Sequence, residues 1–137
     1  MKQHTTNYYD TLIRVAPDTR KESAEAPPVK GDKLSVANIQ YDMISSRPYQ
    51  LTSDDVIFNT YALRNELAGS ELEAAREKFF SKGQPCLRTS PLTKTYGWGI
   101  YCNKEGKVAL VAMESEAYEK LANDSSVNHV DAMRSKK

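Results

Sequence analysis

Between Phe79 and Cys102 the chain reads FFSKGQPCLRTSPLTKTYGWGIYC, and this segment limits what the whole can fold into. It contains the only tryptophan, both cysteines, three glycines, two prolines and three basic residues. Neither the 3.6-residue period of a helix nor the two-residue period of a strand runs through it. It is therefore neither a plain amphipathic helix nor a plain strand. The segment divides a helical stretch from an extended one.

Upstream, the signals are helical. Ser35 stands where a cap is needed before Val36, Ile39 and Met43, which recur at spacings of three and four. Pro48 predicts the end of that helix, because proline disfavours helix in the residue before it. Thr52 answered by Asp55 is a capping box for a second helix, with Val56, Thr60, Leu63 and Leu67 as its inward stripe, widened by Ile57 and Tyr61. Gly69 is expected to close it. Ser70 with Glu73 repeats the box for a third helix, with Leu72, Ala75 and Phe79 inward and Gly83 as a left-handed exit.

Downstream, Pro85 to Arg88 reads as a short extended piece and Pro91 to Thr95 as a single turn of helix or a bend. Gly97–Cys102 and Lys107–Met113 read as strands of a hairpin, with Gly106 supplying the positive φ of the turn. VALVAM is apolar on both faces, which predicts a central strand. Ser115 caps a short helix bearing Tyr118 and Leu121, and the tail VNHVDAMRSKK fits either a last strand or a frayed helix. At the N-terminal end, residues 7–15 alternate like a half-buried strand, with Tyr9, Thr11, Ile13 and Val15 on one side. The stretch 17–32 carries three prolines and little to bury, so it is expected to be a weakly packed surface loop. Together these elements predict one α+β domain over 1–137, with a small antiparallel sheet of three to four strands and about four helices packed on it.

Composition narrows the function classes. Nineteen basic against eighteen acidic residues leave a net charge of +1, so no global field draws the chain to nucleic acid, although residues 76–96 carry a local basic excess. No apolar run is long enough for a membrane span, and the first residues lack the apolar core of a signal peptide. Two cysteines do not make a secreted disulfide framework. Reduced thiols in a cytoplasmic protein are the expectation.

No cofactor or metal site is expected. There is no GxxxxGK[ST] and no GxGxxG, and the cysteines and histidines have the wrong spacing for zinc. The candidate site is therefore built from residue chemistry alone. Lys82, Gln84, Arg88 and Ser90 offer donors to a small anion, and Tyr96 and Trp98 an aromatic wall. Arg88 leads this set because its planar fork matches a carboxylate or phosphate.

Cys86 lies near Lys82 and Arg88, whose charge favours a thiolate. A cysteine enzyme also needs a base, and the only histidines, His4 and His129, lie near the chain ends. Three functions follow: a module binding a small anionic or aromatic ligand over residues 82–98, a cysteine-dependent enzyme using Cys86, and a protein–protein adaptor or homodimer.

The stretches HTTNYYDTLIRVA, PYQLTSDDVIF, FFSKGQPCLRTSPLTKTYGWGI and EGKVAL are similar to a family of small bacterial proteins classed only as a domain of unknown function. KGQPCLR…SPL…YGWGI is its distinctive core. The resemblance implies a stand-alone cytoplasmic bacterial domain and transfers no activity, cofactor or catalytic residue.

Overall fold

A computed structural model of the chain describes residues 4–19, 22–29, 31 and 34–133. It contains one four-stranded mixed sheet. The strands are β1 (Thr11–Arg14), β2 (Trp98–Cys102), β3 (Val108–Ala112) and β4 (Asn128–Asp131), in the order β3-β2-β1-β4. β1 and β3 each run antiparallel to β2, while β4 runs parallel to β1. The ambiguous tail is thus a strand as far as it is described; residues 134–137 lie outside the described residues.

The helices are α1 (Val36–Ser46), α2 (Ser53–Arg64), α3 (Glu71–Phe79), the single turn α4 (Pro91–Lys94) and α5 (Glu116–Ala122). Ile13, Ile100, Cys102 and Val108 share one core with Ile44 of α1, Val56 of α2 and Leu92 of α4. α5 covers the opposite face. There the ring of Tyr118 lies so close to Gly99 that a Cβ would sit 2.6 Å from it, and its hydroxyl accepts the Val15 N–H. Gly99 is required by this approach.

The sheet departs from the predicted layout in three ways. The first strand is shorter than 7–15, because Asp10 takes a positive φ of 48° and turns the chain before Thr11. Leu12 and Ile13 are both fully buried, so this strand is central rather than half-buried. β3, in contrast, is an edge strand despite its apolar sequence. Its burial comes from packed helices and from residues 49–51: the Tyr49 N–H reaches Val108 O and the Val108 N–H reaches Leu51 O. That backbone pairing covers one end of an otherwise open edge.

Among the helices, the caps at Ser35, Thr52 and Ser115 form as the sequence implies, and Gly106 adopts φ 81° in the hairpin. α2 ends at Arg64, five residues before Gly69, through a turn at Glu66 with φ 54°. Leu63 points outward and is 61% exposed, so it does not belong to the inward stripe. Ser70 is already helical, with φ −68° and ψ −12°, and makes no capping bond. Leu72 is exposed, and α3 leaves its last turn at Phe80 without a left-handed glycine; Gly83 is not one of the positive-φ residues. Leu87–Thr89 is a short 3-10 turn rather than extended.

The described residues of 17–32 contain neither helix nor strand, as expected, yet the stretch is tied down. Asn38 Nδ2 donates to Pro27 O, the Ala24 N–H donates to Glu114 Oε1, and the Trp98 indole N–H donates to Glu25 O. Pro27 is buried.

Candidate functional site

The site begins with a polar pair that holds two distant elements together. Gln40 lies on the buried side of α1, and Ser90 is the cap of α4, where its Oγ accepts the Leu92 N–H. The Ser90 hydroxyl donates to Gln40 Oε1 at 2.6 Å. In this bond the Gln40 carbonyl faces Ser90, which leaves the amide nitrogen on the other side.

Gln40 is only 6% exposed, and its amide nitrogen has no protein acceptor among the described residues. No side-chain polar atom among them is both sealed from solvent and unpartnered, so this nitrogen reaches solvent. A cleft of about 530 Å³ lies between α1, α2 and residues 84–90, and Gln40 and Ser90 both line it.

Ile57, Thr60, Tyr61, Arg64 and Asn65 of the α2 region and Phe79 at the end of α3 form one wall of the cleft. Tyr61 and Phe79 pack ring on ring, with centroids 4.7 Å apart. Gln84, Pro85, Cys86, Leu87 and Thr89 form the other side. Their irregular path is held locally: Gln84 Nε2 donates to Phe79 O, Thr89 Oγ1 to Cys86 O, and buried Leu87 anchors the turn in the core.

The predicted site residues therefore separate. Gln84, Cys86 and Ser90 line the cleft; Lys82, Arg88, Tyr96 and Trp98 do not. Lys82 is exposed. Arg88 is directed to the C-terminal strand, where its Nε donates to Asp131 O at 2.6 Å while its own carbonyl accepts the Met133 N–H. Tyr96 packs against the main core, and its carbonyl accepts the Glu25 N–H. Trp98 packs against Tyr41 at 5.7 Å and pins the 22–29 stretch through its indole. One amide hydrogen of Gln84 is engaged by Phe79 O. Gln40, Thr60, Tyr61 and Arg64 are missed by the sequence reading, since their signal is an ordinary helical pattern.

Behind the cleft wall lies a second cluster. Tyr8 Oη is 3.6 Å from Cys86 Sγ. Burial pushes the Tyr8 phenol above its usual value, the Cys86 thiol adds to this, and the Arg88 guanidinium opposes it. Burial pushes the neighbouring Cys102 thiol up to about 12, with Cys86 adding and the Tyr8 backbone opposing. Both cysteines are free thiols. His129 is committed elsewhere, with its Nε2 2.7 Å from Leu121 O. Among the described residues no group of three or more histidine, cysteine and acidic side chains gathers as a metal site, and no helix is long and apolar enough to cross a membrane.

A mixed four-stranded sheet with helices on both faces and a half-polar cleft beside it defines an α+β protein. The chain belongs to a family of unknown function (DUF6157), whose model matches residues 3–137. No curated protein and no solved structure matches the chain.

Proposed function

We propose that the protein is a binding module for a small molecule, held in the cleft between α1, α2 and residues 84–90. The observation that carries this reading is the largely buried Gln40, a residue of the cleft lining whose amide nitrogen has no protein acceptor among the described residues. That nitrogen keeps only solvent as a partner in a largely buried residue, so a ligand acceptor there would replace water with a direct hydrogen bond in a partly desolvated place. The cleft volume suits a small metabolite. The site keeps Gln84, Cys86 and Ser90 from the 82–98 segment and moves its centre to α1 and α2. A bacterial cytoplasmic setting belongs to the same reading, in keeping with two free thiols.

A thermal-shift screen of metabolites on the full chain tests this, because a ligand of the native state raises the melting temperature. A true ligand loses its shift in Gln40→Glu, which keeps an acceptor for Ser90 but replaces the donor with a second acceptor. Thr89→Trp, at an exposed lining residue, should block the cleft even if Gln40→Glu folds poorly. A shift that survives both variants refutes the site.

The second reading, a cysteine-dependent enzyme, draws on Cys86, which lines the same cleft with Tyr8 Oη at 3.6 Å. Tyr8, its phenol pKa raised, stays protonated there and shares a hydrogen bond with Cys86 rather than serving as a base. Turnover that disappears in Cys86→Ser while ligand binding persists would establish catalysis.

A further inference from the structure

The charge pattern of the cleft is one-sided. Its lining contains no aspartate, glutamate, lysine or histidine, and Arg64 is its one charged side chain. Arg64 lies in the last turn of α2, where a cation is favoured by the helix dipole, and makes no ion pair among the described residues. Next to it stand the paired rings of Tyr61 and Phe79, with Ile57 extending the apolar wall. Gln40, whose amide nitrogen has no acceptor among the described residues, belongs to the same lining. A cation, an aromatic and apolar wall and a neutral amide thus line one volume of about 530 Å³.

Resting on the binding reading above, we propose that the ligand is a small monocarboxylic acid with an apolar or aromatic body. Its carboxylate meets Arg64 at the rim, its body lies on Tyr61, Phe79 and Ile57, and an oxygen on the body accepts the Gln40 amide. The guanidinium fork matches a carboxylate in two parallel bonds. A cationic amine would find no lining carboxylate to pair with and would be repelled by Arg64. A doubly charged phosphate would bring one charge more than the cleft can neutralise.

The test measures binding of 4-hydroxybenzoate and 4-hydroxyphenylacetate, each with an oxygen on its body, against their neutral amides, by amide-resonance perturbation in the whole chain at low and high salt. The expected result is about threefold to tenfold tighter binding of each acid than of its amide, weakened by salt. Arg64→Gln should remove that preference by weakening the acids far more than the amides. Arg64 is exposed, so the variant should fold, and Arg64→Lys should restore part of the preference. Equal binding of acids and amides, or a preference that survives Arg64→Gln, overturns the carboxylate assignment and leaves the cleft standing. Absence of binding by acids and amides alike overturns the ligand class. Binding of either that ignores both Gln40→Glu and Thr89→Trp overturns the cleft itself.

Discussion

The sheet core and the α2–α3 layer consolidate their apolar side chains to different degrees. Leu12, Ile13, Ile100 and Val108 are fully buried between helices on both faces. The smaller cluster of Phe58, Ala62 and Phe80 is buried too, but α3 itself contributes no buried residue, and Leu63 and Leu72 stay exposed beside it. The cleft opens on this second layer. Binding elements are drawn from less consolidated regions, since a surface sealed by its own packing has nothing left to offer a ligand. The sheet core is sealed by its own packing, while the α2–α3 layer leaves Tyr61 and Arg64 exposed at the cleft.

The largest expected effect compares two leucines. Leu12→Ala should destabilise the protein by about 2–5 kcal/mol, as cavity-forming changes in tight cores do. Leu63→Ala should stay within about 0.5 kcal/mol, as surface changes usually do. Urea unfolding of the two variants decides it, and similar losses would mean the layers are equally consolidated.

A smaller effect compares two caps. Thr52 Oγ1 accepts the Asp55 N–H and the Asp55 carboxylate accepts the Thr52 N–H, whereas Ser70 makes no capping bond. Thr52→Ala should cost about 1 kcal/mol and Ser70→Ala close to nothing. Burial alone would raise the Asp55 carboxyl, but the Thr52 amide, Arg76 and the Thr52 hydroxyl outweigh it and hold the carboxyl below its ordinary 3.8. A folded value below the unfolded one gives stability that is present above pH 3.8 and lost as the pH falls through the folded value. Asp55→Asn should therefore flatten the acid limb of the stability profile. An unchanged limb would place the acid sensitivity elsewhere.

The smallest effect concerns the thiols, which sit on either side of the boundary. Cys86 lines the cleft, while Cys102 is buried with its thiol pushed to about 12. Brief iodoacetamide treatment of the native protein should alkylate Cys86 alone, and treatment of unfolded protein both, as read by intact mass. Simultaneous modification in the native state would show that the sheet side is as open as the cleft side.

The caps show how far local signals reach. Ser35, Thr52 and Ser115 are legible because a capping bond closes within three residues and needs no tertiary partner. Ser70 carries the same motif and fails, since the turn through Glu66 and Gly69 delivers it already helical. The site was legible in part for the same reason. The unusual chemistry around Cys86 marks the right segment, but Arg88 and Trp98 are drawn away by Asp131 O and Glu25 O, partners more than forty residues distant.

The sequence by itself determined the three locally capped helices, the hairpin turning at Gly106 and the change from helix to strand beyond Gly83. Each rests on hydrogen bonds and φ preferences that act over a few residues. Only the tertiary structure decided that β4 pairs parallel to β1, that VALVA lies at an edge, and that Gln40 and Ser90 meet across fifty residues to open a cleft beside Arg64. These outcomes depend on which packed arrangement satisfies buried polar groups and apolar faces together, and no short window of sequence encodes that sum.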